Sequence, residues 1–257
     1  MLTTDEPCRV CTSRYTLYVQ DVVGRRTGKK FPQRFCMDCH SFVHTSNYSE
    51  SLEQQLMDYE ELQRQRDHHS TLQYQLALEL YTRRPHTRTV LEIGHGLGLF
   101  LRAARDFGRE GTGFEVNPYC QEFAAKELGL NSICDYFDET HPHTYDLIAS
   151  NQVFEHLENP RKLFQDMVDH LNPDGAIYAA VPFIERHQWP YLWTAGTNPA
   201  DSAPDIFFDN DVHITHFSIE GMRQMGLSMG ARTAEYFVSE DVDQHSPGAY
   251  QGVLFTF

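Results

Sequence analysis

The sequence is short of several features that would point to a membrane, secreted or nucleic-acid-binding protein. Its longest apolar run, Ala176 to Phe183, is eight residues, against the roughly 20 needed to cross a bilayer, so no membrane-spanning helix is expected. The amino terminus, Met1-Leu2-Thr3-Thr4-Asp5-Glu6, has neither the basic region nor the apolar segment of a secretory signal, and the chain reads as cytoplasmic. Basic residues are scarce: 21 Lys and Arg stand against 36 Asp and Glu, a net charge of −15, which argues against a protein whose main task is gripping a polyanion. Internal repeats and low-complexity tracts are lacking too. The rest is ordinary: 257 residues with 40% hydrophobic and 22% charged side chains, enough for one large domain or a small module joined to a medium one.

The few basic residues are unevenly placed. Residues 1–45 hold seven of them (Arg9, Arg14, Arg25, Arg26, Lys29, Lys30, Arg34) against four acids, a net +3, which leaves −18 for the remainder. Four of the six cysteines lie in that same segment, as Cys8-x-x-Cys11 and Cys36-x-x-Cys39. Two such pairs close a tetrahedron of thiolates around zinc, and in a chain without a secretory signal the thiols stay reduced rather than pairing as disulfides. Strands are expected at Tyr15–Val19 and Gln33–Phe35 around a basic turn, the layout of a zinc ribbon. Four thiolates make a closed, structural site, leaving His40 and His44 as surface residues. Cys120 and Cys134 read as buried packing residues. Residues 46–88 form a helical connector: one helix through Leu52, Leu56, Tyr59 and Leu62 capped by Ser49 or Ser51, and a second through Leu72, Leu76 and Leu80 capped by Ser70 or Thr71 and stopped by Pro85.

From residue 89 strand and helix patterns alternate: strands near 89–93, 111–115, 132–134, 145–150 and 176–181, helices near 99–107, 118–128 and 160–171, and a last strand near 250–257. Such alternation predicts an α/β doubly wound, Rossmann-like sheet whose ligand sits at the carboxyl ends of the strands. The first turn, Glu92-Ile93-Gly94-His95-Gly96-Leu97-Gly98, lacks the glycine at position 99 that a dinucleotide fingerprint would need. It resembles instead the E/D-x-G-x-G-x-G motif of class I S-adenosylmethionine-dependent methyltransferases. The neighbouring segments extend the likeness: Glu115-Val116 after the second strand, Asp135-Tyr136 after the third, Asn151 to Pro160 with its Glu155-His156 pair after the fourth, and the turn Leu171-Asn172-Pro173-Asp174-Gly175, where Asp174 departs from the usual glycine.

The resemblance covers residues 89–257 and implies S-adenosylmethionine as cofactor beside the structural zinc. The residues it implies for the cofactor are Glu92, Gly94, Gly96, Gly98, Glu115, Val116, Asp135, Tyr136 and Asn151, with Glu115 on the ribose hydroxyls. The family's E-H pair makes His156 the candidate base, and His213 and His216, ahead of a helix that Ser218 can cap, are further cleft candidates. A metal set of Asp209, Asp211 and His213 is the alternative use of that loop. The sequence also resembles two groups that join a zinc module to this fold, sugar C-methyltransferases and ribosomal RNA methyltransferases. The first continues into a second large domain and the second needs phosphate contacts that a −18 body offers sparsely. A small-molecule acceptor is therefore expected, with a non-catalytic scaffold as the other class of reading. Between Val181 and Ser218 an insertion bearing Trp189, Tyr191, Trp193, Phe207 and Phe208 is expected to fold over the cleft.

Overall fold

A computed structural model describes residues 6–24, 26–184, 210–238 and 251–257. The aromatic insertion around Trp189 and Trp193, together with Asp209, lies outside the described residues. In the amino-terminal segment β1 (Thr16–Val23) and β2 (Lys30–Cys36) pair antiparallel, from Thr16 opposite Cys36 to Val23 opposite Lys30. Both run further toward the turn than the expected strands, because the buried positions continue through Val22 and Phe31. β3 (Phe42–Val43) adds to β2.

The connector is α1 (Leu52–Arg64), whose cap Ser51 accepts the N–H of Gln54 at 3.2 Å, and α2 (Arg66–Arg83). The second helix starts ahead of Ser70 and Thr71, at Gln65, so the two helices abut with no polar cap between them. Their burial differs sharply. α2 buries Leu72, Leu76 and Leu80 on the main domain, whereas α1 buries nothing and leaves Leu52, Leu56 and Met57 exposed.

The main domain follows as β4 (Thr89–Ile93), α3 (Leu99–Asp106), β5 (Glu110–Phe114), α4 (Pro118–Lys126), β6 (Asn131–Ile133), β7 (Tyr145–Asn151), α5 (Pro160–Asp169), β8 (Leu171–Ala180), β9 (Thr215–His216), α6 (Ile219–Ser228), β10 (Thr233–Val238) and β11 (Gln251–Thr256). α4 and α5 begin alike: Asn117 and Asn159 cap with their side chains and proline takes the first turn, where its missing N–H has no helical partner to lose. Seven strands form one sheet in the order β10-β11-β8-β7-β4-β5-β6. β6, β5, β4, β7 and β8 are parallel, and β11 is antiparallel to both neighbours. Strand order reverses between β4 and β7, which opens a crevice at their carboxyl ends.

Two details depart from the sequence reading. The segment from Leu171 to Gly175 is not a turn ahead of the strand but part of β8, accommodated by a register shift against β7 between Tyr145 and Leu147. Asp174 takes φ +59°, the left-handed conformation for which a glycine is suited, and that is how the bulge forms without one. Cys120 is buried as expected, but Cys134 is exposed because it follows the short edge strand β6.

The ribbon is not a free module. β9 pairs with β3, Phe42 opposite His216 and Val43 opposite Thr215, so the main domain supplies the fourth strand of the ribbon sheet in the order β1-β2-β3-β9. Cys8, Val10, Cys36 and Cys39 belong to the same apolar cluster as Phe154, Phe217 and Met222. α2 and α3 cover the opposite face of the sheet through Leu76, Leu80 and Phe100. The switch-point crevice therefore has the ribbon on one flank and the α1 connector on the other.

Candidate functional site

The loop after β4 turns on Gly94, Gly96 and Gly98, with φ of +70°, +53° and +74°. Side chains at these angles are strained. A Cβ on Gly94 would strike Val153 at 2.3 Å, whereas one on Gly96 would meet only Leu62 of α1, at 3.8 Å. The loop thus packs on the Asn151–His156 segment at one end and leaves a cradle at Gly96, where backbone can approach a ligand. His95 fixes this shape: its Nδ1 lies 2.9 Å from the Gly96 carbonyl and its Nε2 2.7 Å from the Ser132 hydroxyl. Since the carbonyl only accepts, Nδ1 carries the proton and Nε2 accepts from the serine. Burial pushes the imidazole pKa down to about 4. Sequence reasoning missed His95, which stands at an unconstrained position of the motif and gives no local signal.

Glu115, directly after β5, is buried, and its carboxylate accepts the N–H of Gly96 at 2.7 Å on one oxygen and of Asn117 at 2.8 Å on the other. Each oxygen keeps an acceptor site, so the group can take two ribose hydroxyls while holding the loop. Burial raises its pKa, and raises that of Glu92 well above the usual carboxylate range. Oε2 of Glu92, Oγ of Ser150 and Oδ1 of Asn151 are buried without a hydrogen-bond partner among the described residues. Glu92 lies on the α2/α3 face of the sheet, opposite Ala149 in register, and Ser150 on the ribbon face, both near the carboxyl ends of their strands; unsatisfied polar atoms at strand ends fit a polar ligand there. Val116 and Tyr136 are exposed, Tyr136 by 75%, and Asp135 accepts the Tyr136 N–H at 2.8 Å. A flat ring standing free at the β6 end is suited to covering an aromatic base. This donor set fits S-adenosylmethionine. A separate hollow of about 320 Å³, lined by Leu101, Arg109, Glu110 and Asn131, opens at the opposite, amino-terminal ends of β5 and β6, away from these groups.

On the other side of the crevice, β7 passes into a 3₁₀ turn, Phe154–His156. His156 sets its Nδ1 3.1 Å from the Val212 carbonyl, and its ring lies 4.7 Å from that of His213 at 71°. Burial, then the neighbouring His213, lowers its pKa to about 3, although its side chain is 38% exposed; the imidazole is neutral at physiological pH. His216 does not join this group. It is 3% exposed in the ribbon sheet, its Nε2 3.2 Å from Asn210 Oδ1 and its ring 5.8 Å from His44, because β9 is committed to pairing with β3. His44, expected at the surface, is fully buried in that same contact. Asp211 is likewise committed, binding the ribbon turn rather than a metal.

The four cysteines of the ribbon meet as the spacing predicts. Sγ atoms of Cys8 and Cys39 are 3.7 Å apart and those of Cys11 and Cys36 3.5 Å. A tetrahedron with Zn–S of about 2.3 Å requires about 3.8 Å between sulfurs; a disulfide requires about 2.05 Å. The two pairs also share a backbone form: Thr12 and His40, each directly after its second cysteine, have φ +64° and +60°, and their N–H groups bond the carbonyls of Cys8 and Cys36. His40 is thus a turn residue of the second knuckle. The set fits a tetrahedral metal.

A family model described as a methyltransferase domain matches residues 45–233. The ubiquinone biosynthesis O-methyltransferase of Vibrio cholerae serotype O1 is 26% identical over 114 residues, 41% of this chain and 46% of that one. The chain spans less than half the length of this curated relative. Among solved structures, the plantazolicin methyltransferase BpumL in complex with S-adenosylhomocysteine is similar with a TM-score of 0.57 at 15% identity, over 79% of this chain and 90% of that one. The mitomycin 7-O-methyltransferase MmcR gives 0.54 at 18%, over 73% and 53%. At these identities the structural likeness concerns the fold alone.

Proposed function

Because the chain belongs to the methyltransferase-domain family, we propose that it transfers a methyl group from S-adenosylmethionine to a small-molecule acceptor at the carboxyl ends of β4 and β7, with zinc held structurally by Cys8, Cys11, Cys36 and Cys39. The observation that carries this reading is that the Gly94–Gly98 loop, Glu115 on the Gly96 N–H, and polar atoms of Glu92, Ser150 and Asn151 without partners among the described residues all lie at the carboxyl ends of β4, β5 and β7. When bound, the cofactor supplies a methyl made electrophilic by its sulfonium. Glu115 orients the ribose and fastens the loop, Gly96 admits the ligand's close approach, and Asp135 and Tyr136 take the adenine end. Val153 against Gly94 brings His156 to the acceptor side, where the acceptor's proton leaves. Alignment and exclusion of water do the rest.

A nucleic-acid acceptor is less well supported. Arg26 pairs with Glu50 at 3.2 Å and Arg34 with Glu6 at 2.5 Å, and Arg9 is turned onto the His44 carbonyl at 3.0 Å, so three of the ribbon's cations are engaged by their own chain. Calorimetry with S-adenosylmethionine and S-adenosylhomocysteine, followed by turnover against panels of hydroxylated small molecules and of structured RNA, tests the reading. Binding with small-molecule turnover supports it. Absence of cofactor binding, or turnover on RNA only, overturns it.

A further inference from the structure

Beside the cofactor crevice a second group of donor atoms comes together. Glu155 Oε, a ring nitrogen of His156 and one of His213 all lie within 4.8 Å of one another. Glu155 is 1% exposed and both its carboxylate oxygens are buried without a hydrogen-bond partner among the described residues. An ionised carboxylate in that position is expensive unless a cation or a proton meets it. The nearby histidine does not supply the proton. His156 Nδ1 faces the Val212 carbonyl at 3.1 Å, and a carbonyl only accepts, so the ring's proton sits on Nδ1 and Nε2 carries a lone pair. That lone pair lies 3.8 Å from Glu155 Oε1, too far for a hydrogen bond. With the Glu155 carboxyl ionised, two acceptors thus face each other, and the second nitrogen of His156 is already oriented by a backbone carbonyl, the outer-shell support usual for metal-bound histidine.

The group is also held rigidly. Ile214 N–H bonds the Glu155 carbonyl at 2.9 Å and His156 N–H the Val153 carbonyl at 3.0 Å, tying the 3₁₀ turn to the His213 segment. We propose that Glu155, His156 and His213 bind a divalent transition-metal ion on the acceptor side of the crevice, and that this ion takes the acceptor through a hydroxyl oxygen. Two imidazoles and one carboxylate suit manganese, iron, cobalt, nickel or zinc better than magnesium or calcium, and three protein donors leave positions open. The acceptor role rests on the methyltransferase reading above and specifies it: His156 then acts as a ligand, not as a free base. The acceptor's O–H bond breaks with its proton passing to water, made easier by the cation. The oxygen's electron pair forms the new C–O bond, and the C–S pair stays on sulfur as the thioether of S-adenosylhomocysteine.

Manganese distinguishes this site from the four thiolates, which prefer softer ions. The full-length, zinc-loaded protein is titrated with Mn²⁺, and the free ion is read by electron paramagnetic resonance. One Mn²⁺ per chain is expected, with affinity lowered roughly 10- to 100-fold or more in Glu155→Gln and in His213→Ala, while zinc content and S-adenosylhomocysteine affinity stay at wild-type level. The Glu155→Gln variant also carries a folding control. Without Mn²⁺ its Tm is expected near wild type, since the amide has the shape of the carboxyl and no hydrogen bond of that carboxyl among the described residues is lost, and Mn²⁺ is expected to raise the wild-type Tm only. No Mn²⁺ binding, or binding unchanged by Glu155→Gln, overturns the site. Full turnover in a chelator that leaves zinc in place overturns the acceptor role while leaving the methyltransferase reading intact; loss of S-adenosylhomocysteine binding in the wild type would instead refute that reading.

Discussion

The hydroxyl of Thr27 donates to Asp211 Oδ1 at 2.5 Å, across 184 residues of sequence. The same carboxylate accepts the N–H of Arg26 at 2.5 Å and of Thr27 at 3.1 Å, and it fills the space where a Cβ on Gly24 would stand. The tip of the ribbon turn is therefore closed around a side chain of the main domain, two residues from His213. Replacing Asp211 with Ala strands two backbone N–H groups and is expected to destabilise the protein by about 2–3 kcal/mol, read by denaturant unfolding. Gly24→Ala is expected to do so by steric conflict with the same carboxylate. An unchanged midpoint in both would mean that the turn and the main domain are not coupled.

Zinc ligation is expected to hold that coupling together. Metal analysis is expected to return zinc bound to the four thiolates, and Cys36→Ser or strong chelation to unfold the ribbon, because ligation supplies much of the folding energy of such modules. As the thiols share an apolar cluster with Phe217 and Met222, the loss should spread into α6, seen as faster amide exchange there. Full folding after chelation with no metal bound would refute zinc as a structural element.

Glu115 holds the loop and the ribose with one carboxylate. Glu115→Ala is expected to weaken S-adenosylhomocysteine binding by about 1.5–3 kcal/mol, the scale of charge-assisted hydrogen bonds, and Gly96→Val to block it by filling the cradle. Wild-type affinity in the first variant would put the ribose contact elsewhere.

A good deal of this was legible beforehand. Hydrophobic alternation marked β4, β5, β6 and β7 to within one or two residues, and the paired C-x-x-C turns marked the thiol cluster, since both signals are local; β8 begins five residues ahead of its expected start because the polar Asn172-Pro173-Asp174 stretch hides the strand. What sequence could not show was partnership across distance. The pairing of β9 with β3 depends on two residues with no pattern of their own, and it removed His216 and His44 from the roles assigned to them. Glu155 stood in view next to His156, but an acid beside apolar Phe154 and Val153 reveals itself only when its oxygens prove to lack partners among the described residues.

The pH dependence of stability offers a check on His95. Its folded pKa of about 4 lies below the value of about 6.5 expected in the unfolded chain, so the unfolded state binds the proton first. Stability from this residue is therefore complete above pH 6.5 and falls as pH drops toward 4, by about 2–4 kcal/mol in all. Carboxylates titrate in the same window, so the comparison is with His95→Asn. The variant's unfolding free energy is expected to change less over that interval than the wild type's. Parallel curves would mean that the imidazole is protonated in the folded loop.

The two histidines first grouped together should separate experimentally. His156 lies on the acceptor side, half exposed, with Nε2 directed away from its carbonyl partner, so His156→Ala is expected to lower turnover by roughly 10²- to 10⁴-fold with S-adenosylhomocysteine affinity retained. His216 is buried between Asn210 and His44. His216→Ala should leave a cavity in the ribbon sheet, lowering stability by about 2–4 kcal/mol while turnover per folded molecule stays near wild type. Measuring kcat and the unfolding midpoint for both variants decides the matter, because the two roles predict opposite patterns. If His216→Ala lost turnover without losing stability, β9 would have to leave the ribbon sheet during the reaction, and the ribbon would then move with the acceptor rather than brace its site.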